Sequence, residues 1–192
     1  TLSSSSAASD VYKRQILGAL IDKFDDQYAN TLKLGEGDTF IPGPWLIGGA
    51  DPSLNAIPGI GATALGRPDI AIFNAFGTDA SALGNHEFDL GSPVLQAAFA
   101  FSNNGTPTTT DDWAGAQFPF ITANFDFAAD SSLRGLADAS IGGSSANAFA
   151  GQEASAIKGK IAPYAVVTEG GEKIGIVGAS TFDLLSKSSP NG

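Results

Sequence analysis

The 192 residues carry 43% hydrophobic and 16% charged side chains with 24 glycines and 10 prolines, a composition that excludes a disordered chain and suits one turn-rich globular domain. A net charge of −10 repels the phosphate backbone of nucleic acid, which excludes a polyanionic nucleic-acid partner, and the absence of cysteine excludes disulfides and thiolate metal sites. No apolar run reaches the ~20 residues of a membrane-spanning helix, and any mechanism that needs two imidazoles must borrow one, because the chain has a single histidine.

Residues 1–15 begin with a serine run and lack an apolar stretch of signal-peptide type, so they are set aside as a non-native or disordered segment. Ile16, Leu17, Leu20, Ile21, Phe24 and Tyr28 then recur at three- and four-residue spacing, which predicts an amphipathic helix with a buried stripe. Thr31 to Leu34 reads as a short strand running into the turn Gly35-Glu36-Gly37-Asp38. Residues 42–61, rich in proline and glycine, read as a surface excursion. Pro68 near the start and Gly77 past the end frame a second helix.

Asp79 to Leu83 is a second strand, leading into Gly84-Asn85-His86-Glu87, after which Ser92-Pro93 supplies an N-cap and first-turn pair for a helix to about Phe101. Phe118 to Phe125 reads as a third strand. A stretch of about 128–156, dominated by alanine, serine and glycine, reads as a flexible insertion. Ile161 to Thr168 and Lys173 to Ala179 flank Glu169-Gly170-Gly171-Glu172, a hairpin signal. Early alternation of strands and helices with a late hairpin gives an α/β class with mixed strand directions.

Two segments share one plan: a short apolar strand, a glycine, then a residue able to bind metal. Ligands of open α/β sheets gather beyond the carboxyl ends of the strands, so Asp38 and Asn85 are expected to converge on one crevice. Asp38 offers two carboxylate oxygens, enough to bridge two cations ~3.5–4 Å apart, and Asn85 a neutral carbonyl oxygen. His86, three residues before Asp89, can be held in one tautomer by that carboxylate while its other nitrogen faces a substrate oxygen. Alone, Gly-Asp and Gly-Asn dipeptides are ordinary turns, and a lone histidine is ordinarily a satisfied one.

The string Asn74 to Gly91, with Gly84-Asn85-His86-Glu87-Phe88-Asp89 at its centre, closely resembles a block of the bacterial 5'-nucleotidases within the calcineurin-like metallophosphoesterase superfamily. Gly37-Asp38-Thr39-Phe40-Ile41-Pro42-Gly43-Pro44, Thr122-Ala123-Asn124-Phe125 and Gly171 to Gly178 are similar to three further blocks in the same order, so the resemblance spans roughly residues 16–192. It implies a partial αββα sandwich with mixed β-sheets. It further implies two divalent metal ions (Mn, Zn, Fe, Mg or Co), with Asp38 bridging, Asn85 on the second, and His86 with Asp89 as a catalytic dyad. Asn124 is read as a structural strand-end residue.

What the resemblance implies for activity is a phosphohydrolase of phosphomonoesters such as 5'-nucleotides, exported to the periplasm or cell surface. The family's opening Asp-x-His pair and later histidine blocks have no counterpart here, so residues 16–192 are expected to be part of an N-terminal catalytic domain, inactive alone and missing a C-terminal domain that sets specificity. A non-catalytic phosphate- or nucleotide-binding module, or a phosphodiesterase of the same superfamily, is the alternative. A serine hydrolase is disfavoured because no Gly-x-Ser-x-Gly elbow occurs.

Overall fold

A computed structural model of the chain describes residues 6–57, 59–60, 63–102, 112–138 and 149–190, with the backbone alone for 6–11 and 56. Four short strands form a parallel sheet in the order β1 (Leu34–Gly35), β2 (Ala80–Ala82), β3 (Phe120–Ile121) and β4 (Ile161–Ala162). The crossovers carry α3 (Arg67–Ala75) between β1 and β2 and α4 (Ser92–Phe99) between β2 and β3. Two further strands, β5 (Tyr164–Glu169) and β6 (Glu172–Val177), pair antiparallel as a separate sheet. The architecture is therefore α/β with one parallel and one antiparallel sheet.

Aromatic side chains fill the main core. Phe99 meets Phe120 edge-on at 5.3 Å, Phe118 meets Phe120 at 5.4 Å, and Ile70, Leu95, Trp113, Leu133 and Ile161 are buried around them. The Trp113 indole N–H donates to the Ala98 carbonyl at 2.7 Å, which satisfies its one polar group inside that core. A second cluster of Ala80, Ile121, Ile157, Ala162, Ala165 and Val167 joins the parallel sheet to the hairpin. There the chain leaving β6 lies so close to β3 that a Cβ on Gly178 would stand 2.2 Å from the Ile121 carbonyl oxygen.

Several expected elements appear with altered bounds. The first helix, α1 (Ser6–Gln27), begins inside the segment set aside, ten residues before Ile16. Its apolar stripe is not buried: Ile16, Leu17, Leu20, Phe24 and Tyr28 are all exposed. The face that docks is instead the one bearing Arg14, paired with Asp69 at 3.0 Å and stacked over Trp45, and Gly18, where a Cβ would come within 3.2 Å of the Phe76 ring. A small residue and one long cation decide which side of the helix meets the domain.

Strands are shorter than the apolar runs, since Thr31–Leu34 contributes only its last residue to β1 and Phe118–Phe125 only Phe120–Ile121 to β3. Pro163 divides the expected run from Ile161: lacking an N–H, it separates β4, which joins the parallel sheet, from β5. The excursion over 42–61 holds a short helix, α2 (Pro44–Gly48), and a 3₁₀ turn at Pro52–Ala56, and it sends Leu46 and Ile60 into the core. Ser92 is not the N-cap of α4. Gly91 is, with φ 87°, and the Ser92 hydroxyl donates to the Pro190 carbonyl instead.

Of the stretch at about 128–156, residues 139–148 lie outside the described residues. The flanks are packed: Leu133 is buried, and the Asp138 carboxylate accepts the N–H groups of Phe149 and Ala150. The β5–β6 turn has Gly170 at φ 57° and Gly171 at φ 86°, the two positive values a two-residue hairpin turn of this twist requires. A last short helix, α5 (Leu184–Lys187), follows the hairpin.

Candidate active site

Because β1 and β2 are adjacent and parallel, with Leu34 opposite Ala80 and Gly35 opposite Ser81, the loops that follow them emerge at the same end of the sheet. Asp38 stands three residues past β1 and Asn85 three past β2. The Gly37 and Gly84 backbones touch: a Cβ on Gly37 would lie 2.6 Å from the Gly84 nitrogen. Asp38 itself takes the left-handed conformation, φ 56°, which among the described residues no other non-glycine adopts. Aspartate tolerates that region better than most residues, and here it turns the carboxylate across the neighbouring loop.

The Asp38 Oδ1 atom accepts the His86 backbone N–H at 3.1 Å, so the carboxylate lies directly against the Asn85-His86 turn. Asn85 opens the 3₁₀ turn His86–Phe88 without a side-chain capping bond, which leaves its amide for other partners. The His86 Nδ1 atom is 2.6 Å from Asp89 Oδ2, and about a third of the His86 side chain remains exposed. That bond is the first cause raising the imidazole above its ordinary value. Desolvation opposes it, and the charges of Asp89, Asp38 and Glu87 add to it. The Asn124 amide is closed against the Ser180 backbone by two bonds of 2.8 Å.

Two residues that the sequence reading did not single out complete the arrangement. Glu87 is buried at 1% exposure, and its carboxylate accepts the N–H groups of Asp38 at 2.9 Å, of Gly84 at 2.7 Å, and of Thr39. It pins both loops to one another. Burial lifts its carboxyl above the usual range while the three N–H groups draw it back. Ser188, far along the chain, donates its hydroxyl to the other oxygen of Asp89 at 2.7 Å.

A divalent cation at the meeting of the loops would find oxygen donors in Asp38 and Asn85, the right kind for a hard or borderline ion. The number falls short of the four to six ligands such ions require, at about two. Among the described residues no three His, Cys, Asp or Glu side chains cluster as a metal site. The fit is thus in kind and not in count, and donors from beyond these residues would have to complete it.

Gly84 is where the packing is tightest. An added Cβ would stand 2.0 Å from Asp38 Oδ1 and 2.6 Å from the Asp38 nitrogen, so Gly84→Ala must push the carboxylate off the turn. The expected outcome is a loss of ~1–3 kcal/mol in urea unfolding together with faster hydrogen exchange at the His86 amide.

No protein-family model matches the chain. It is 32% identical over 127 residues to the trifunctional nucleotide phosphoesterase protein YfkN of Bacillus subtilis, covering 65% of this chain and 8% of that one. It is 30% identical over 126 residues to the snake venom 5'-nucleotidase of Gloydius brevicauda, covering 65% and 15%. The solved 5'-nucleotidase precursor of Thermus thermophilus superimposes with a TM-score of 0.57 at 28% identity, over 91% of this chain and 24% of that one. The NAD nucleotidase of Haemophilus influenzae, at 22% identity and a TM-score of 0.52, shares the fold.

The fold is that of the 5'-nucleotidase metallophosphoesterases over the portion covered. The chain is a homologue of part of the 5'-nucleotidase-type proteins, and it spans under a quarter of the length of each relative just named. Among the described residues no helix is long and apolar enough to cross a membrane.

Proposed function

We propose that these residues form part of a metal-dependent phosphohydrolase acting on phosphomonoesters such as 5'-nucleotides. The observation that carries the reading is the contact between the Asp38 carboxylate and the turn that bears Asn85 and the His86–Asp89 pair. Relatives named as nucleotide phosphoesterase and 5'-nucleotidase support the substrate class. Asp38 and Asn85 are the residues that would hold divalent ions here, and such ions when bound would supply neutralisation of charge on the phosphoryl oxygens. Export to the periplasm or cell surface is proposed from the precursor and venom proteins among those relatives.

The chain's own residues supply a proton device. Asp89 holds Nδ1, so on this partly exposed side chain Nε2 is the nitrogen left to serve a substrate oxygen. With the imidazole's affinity for its proton raised by that carboxylate, the protonated form persists to higher pH and can give its proton to the departing alkoxide. Glu87 and the Gly37–Gly84 contact hold the two loops at fixed separation while that happens.

The test is phosphate release from AMP with Mn²⁺, measured on the longer polypeptide that carries these residues and on its His86→Ala variant. A loss of ~10²–10⁴-fold is expected. Equal rates would remove His86 from the chemistry. The 192 residues alone are expected to release no phosphate above background, since two donors leave the ions under-coordinated. The shortage of donors favours one second reading, a phosphate- or nucleotide-binding module without turnover. Retained AMP binding with no hydrolysis by the longer polypeptide would select it.

A further inference from the structure

We propose that Ser188 is a positioning residue for the His86–Asp89 pair, making it a three-membered relay of fixed geometry; this inference rests on the dyad reading just given. Asp89 has two carboxylate oxygens and both are occupied. Oδ2 meets His86 Nδ1 at 2.6 Å, and Oδ1 accepts the Ser188 hydroxyl at 2.7 Å. A carboxylate held at one oxygen can still turn about its last side-chain torsion, a broad and roughly two-fold well. A second bond at the other oxygen removes that freedom, and with it the freedom of the imidazole.

Ser188 is itself anchored. Its N–H donates to the Leu184 carbonyl at 2.8 Å at the close of α5, and two residues later the Pro190 carbonyl accepts both the N–H and the hydroxyl of Ser92, at 2.8 and 3.1 Å. Ser92 is fully buried at the first turn of α4, directly after the loop that carries Asp89. The segment 188–190 therefore clasps the base of the Asp89 loop at two points. One point is backbone-directed and would serve stability alone. The other is aimed at the carboxylate that holds the imidazole.

The consequence is that the aim of His86 depends on a residue 99 positions beyond Asp89 in sequence. Should Ser188 serve packing alone, its removal would leave the imidazole's tautomer untouched. Should it position the pair, removal would let the imidazole sample both tautomers while the fold persists.

The chain's single histidine makes this measurable without any metal or substrate, because every imidazole signal belongs to His86. The probes are the ¹⁵N shifts of Nδ1 and Nε2 and the exchange rate of the Nδ1 proton, at one fixed pH at which the imidazole is neutral, on the metal-free chain. Wild type should show one tautomer, protonated at Nδ1. Ser188→Ala should show a mixture with proton exchange roughly tenfold faster, and Ser188→Thr, which keeps the hydroxyl, should restore the wild-type signature.

Ser92→Ala, which loosens the clasp without touching Asp89, should leave the tautomer unchanged and so separates positioning from stability. The proposal is overturned if Ser188→Ala keeps a single tautomer and a slow proton while Asp89→Asn loses both, an outcome that leaves the dyad standing. If Asp89→Asn also changes nothing, the dyad itself is absent and both readings fall together.

Discussion

Glu87→Ala is expected to destabilise the chain by ~3–5 kcal/mol and to separate the two site loops, as read by urea unfolding and by hydrogen exchange at the Asp38, Thr39 and Gly84 amides. Three backbone N–H groups converge on one buried carboxylate, and removing it leaves all three as donors with nothing to accept them. An orphaned buried donor costs ~1–3 kcal/mol; the three amides belong to half-buried residues, so partial hydration and relaxation of the loops recover part of the sum. Glu87→Gln sharpens the test. Its amide oxygen can replace the carboxylate oxygen that accepts from Asp38 and Gly84, but its NH₂ would then face the Thr39 N–H, donor against donor. An intermediate loss of ~1–3 kcal/mol is expected, with exchange fastest at Thr39. Unfolding midpoints within error of wild type for both variants would show that water replaces the clamp without cost.

How far that site could be read from sequence follows from which interactions are local. The paired loops were legible because parallel neighbours in a sheet send both strand ends the same way, so Gly35 and Ser81, side by side in register, fix where Asp38 and Asn85 start. The His86–Asp89 bond was legible for the same reason: a three-residue spacing in a tight turn brings the side chains together. Glu87 was missed because a glutamate between histidine and phenylalanine carries no sign of burial. The one hint is that it shares its turn with two glycine-led loops needing acceptors for their amides. Ser188 left no hint at all, since its bond to Asp89 spans about half the chain.

The fold divided along similar lines. Helix α3 kept its expected frame because proline and glycine act on their own φ angles, Pro68 inside the first turn and Gly77 at φ 68° just past the end. The β5–β6 turn followed from Gly170 and Gly171 in the same way. Strand lengths did not, because pairing stops where the neighbour's backbone turns away, and apolar residues such as Phe125 continue into loops that still pack. The stripe on α1 misled for a third reason. Periodicity marks which residues share a face, but the docked face was selected by Arg14 finding Asp69 and Trp45.

That ion pair yields the second large effect. Asp69 is buried at 3% exposure, and burial outweighs the Arg14 charge, so its carboxyl is pushed up to about 6. Its Oδ2 lacks a hydrogen bond of good geometry, the Trp45 indole being the group that faces it. The unfolded chain releases this proton near the ordinary aspartate value, ~3.9, so between roughly pH 4 and 6 the folded state binds more protons than the unfolded one. Stability then falls as pH rises through that window, by about 3 kcal/mol for some two pH units. Glu87, whose carboxyl is also raised, slopes the same way, so the decisive quantity is the difference between wild type and Asp69→Asn. The asparagine variant should be no less stable than wild type at pH 7 and should lose most of the slope between pH 4 and 6. Arg14→Gln should act oppositely, extending the upper edge of the window to higher pH, because the guanidinium is the largest force holding the Asp69 carboxyl down. An unchanged slope in Asp69→Asn would mean that the carboxylate is solvated despite its place beneath α1, and that the helix docks through the Gly18–Phe76 contact and not through the ion pair.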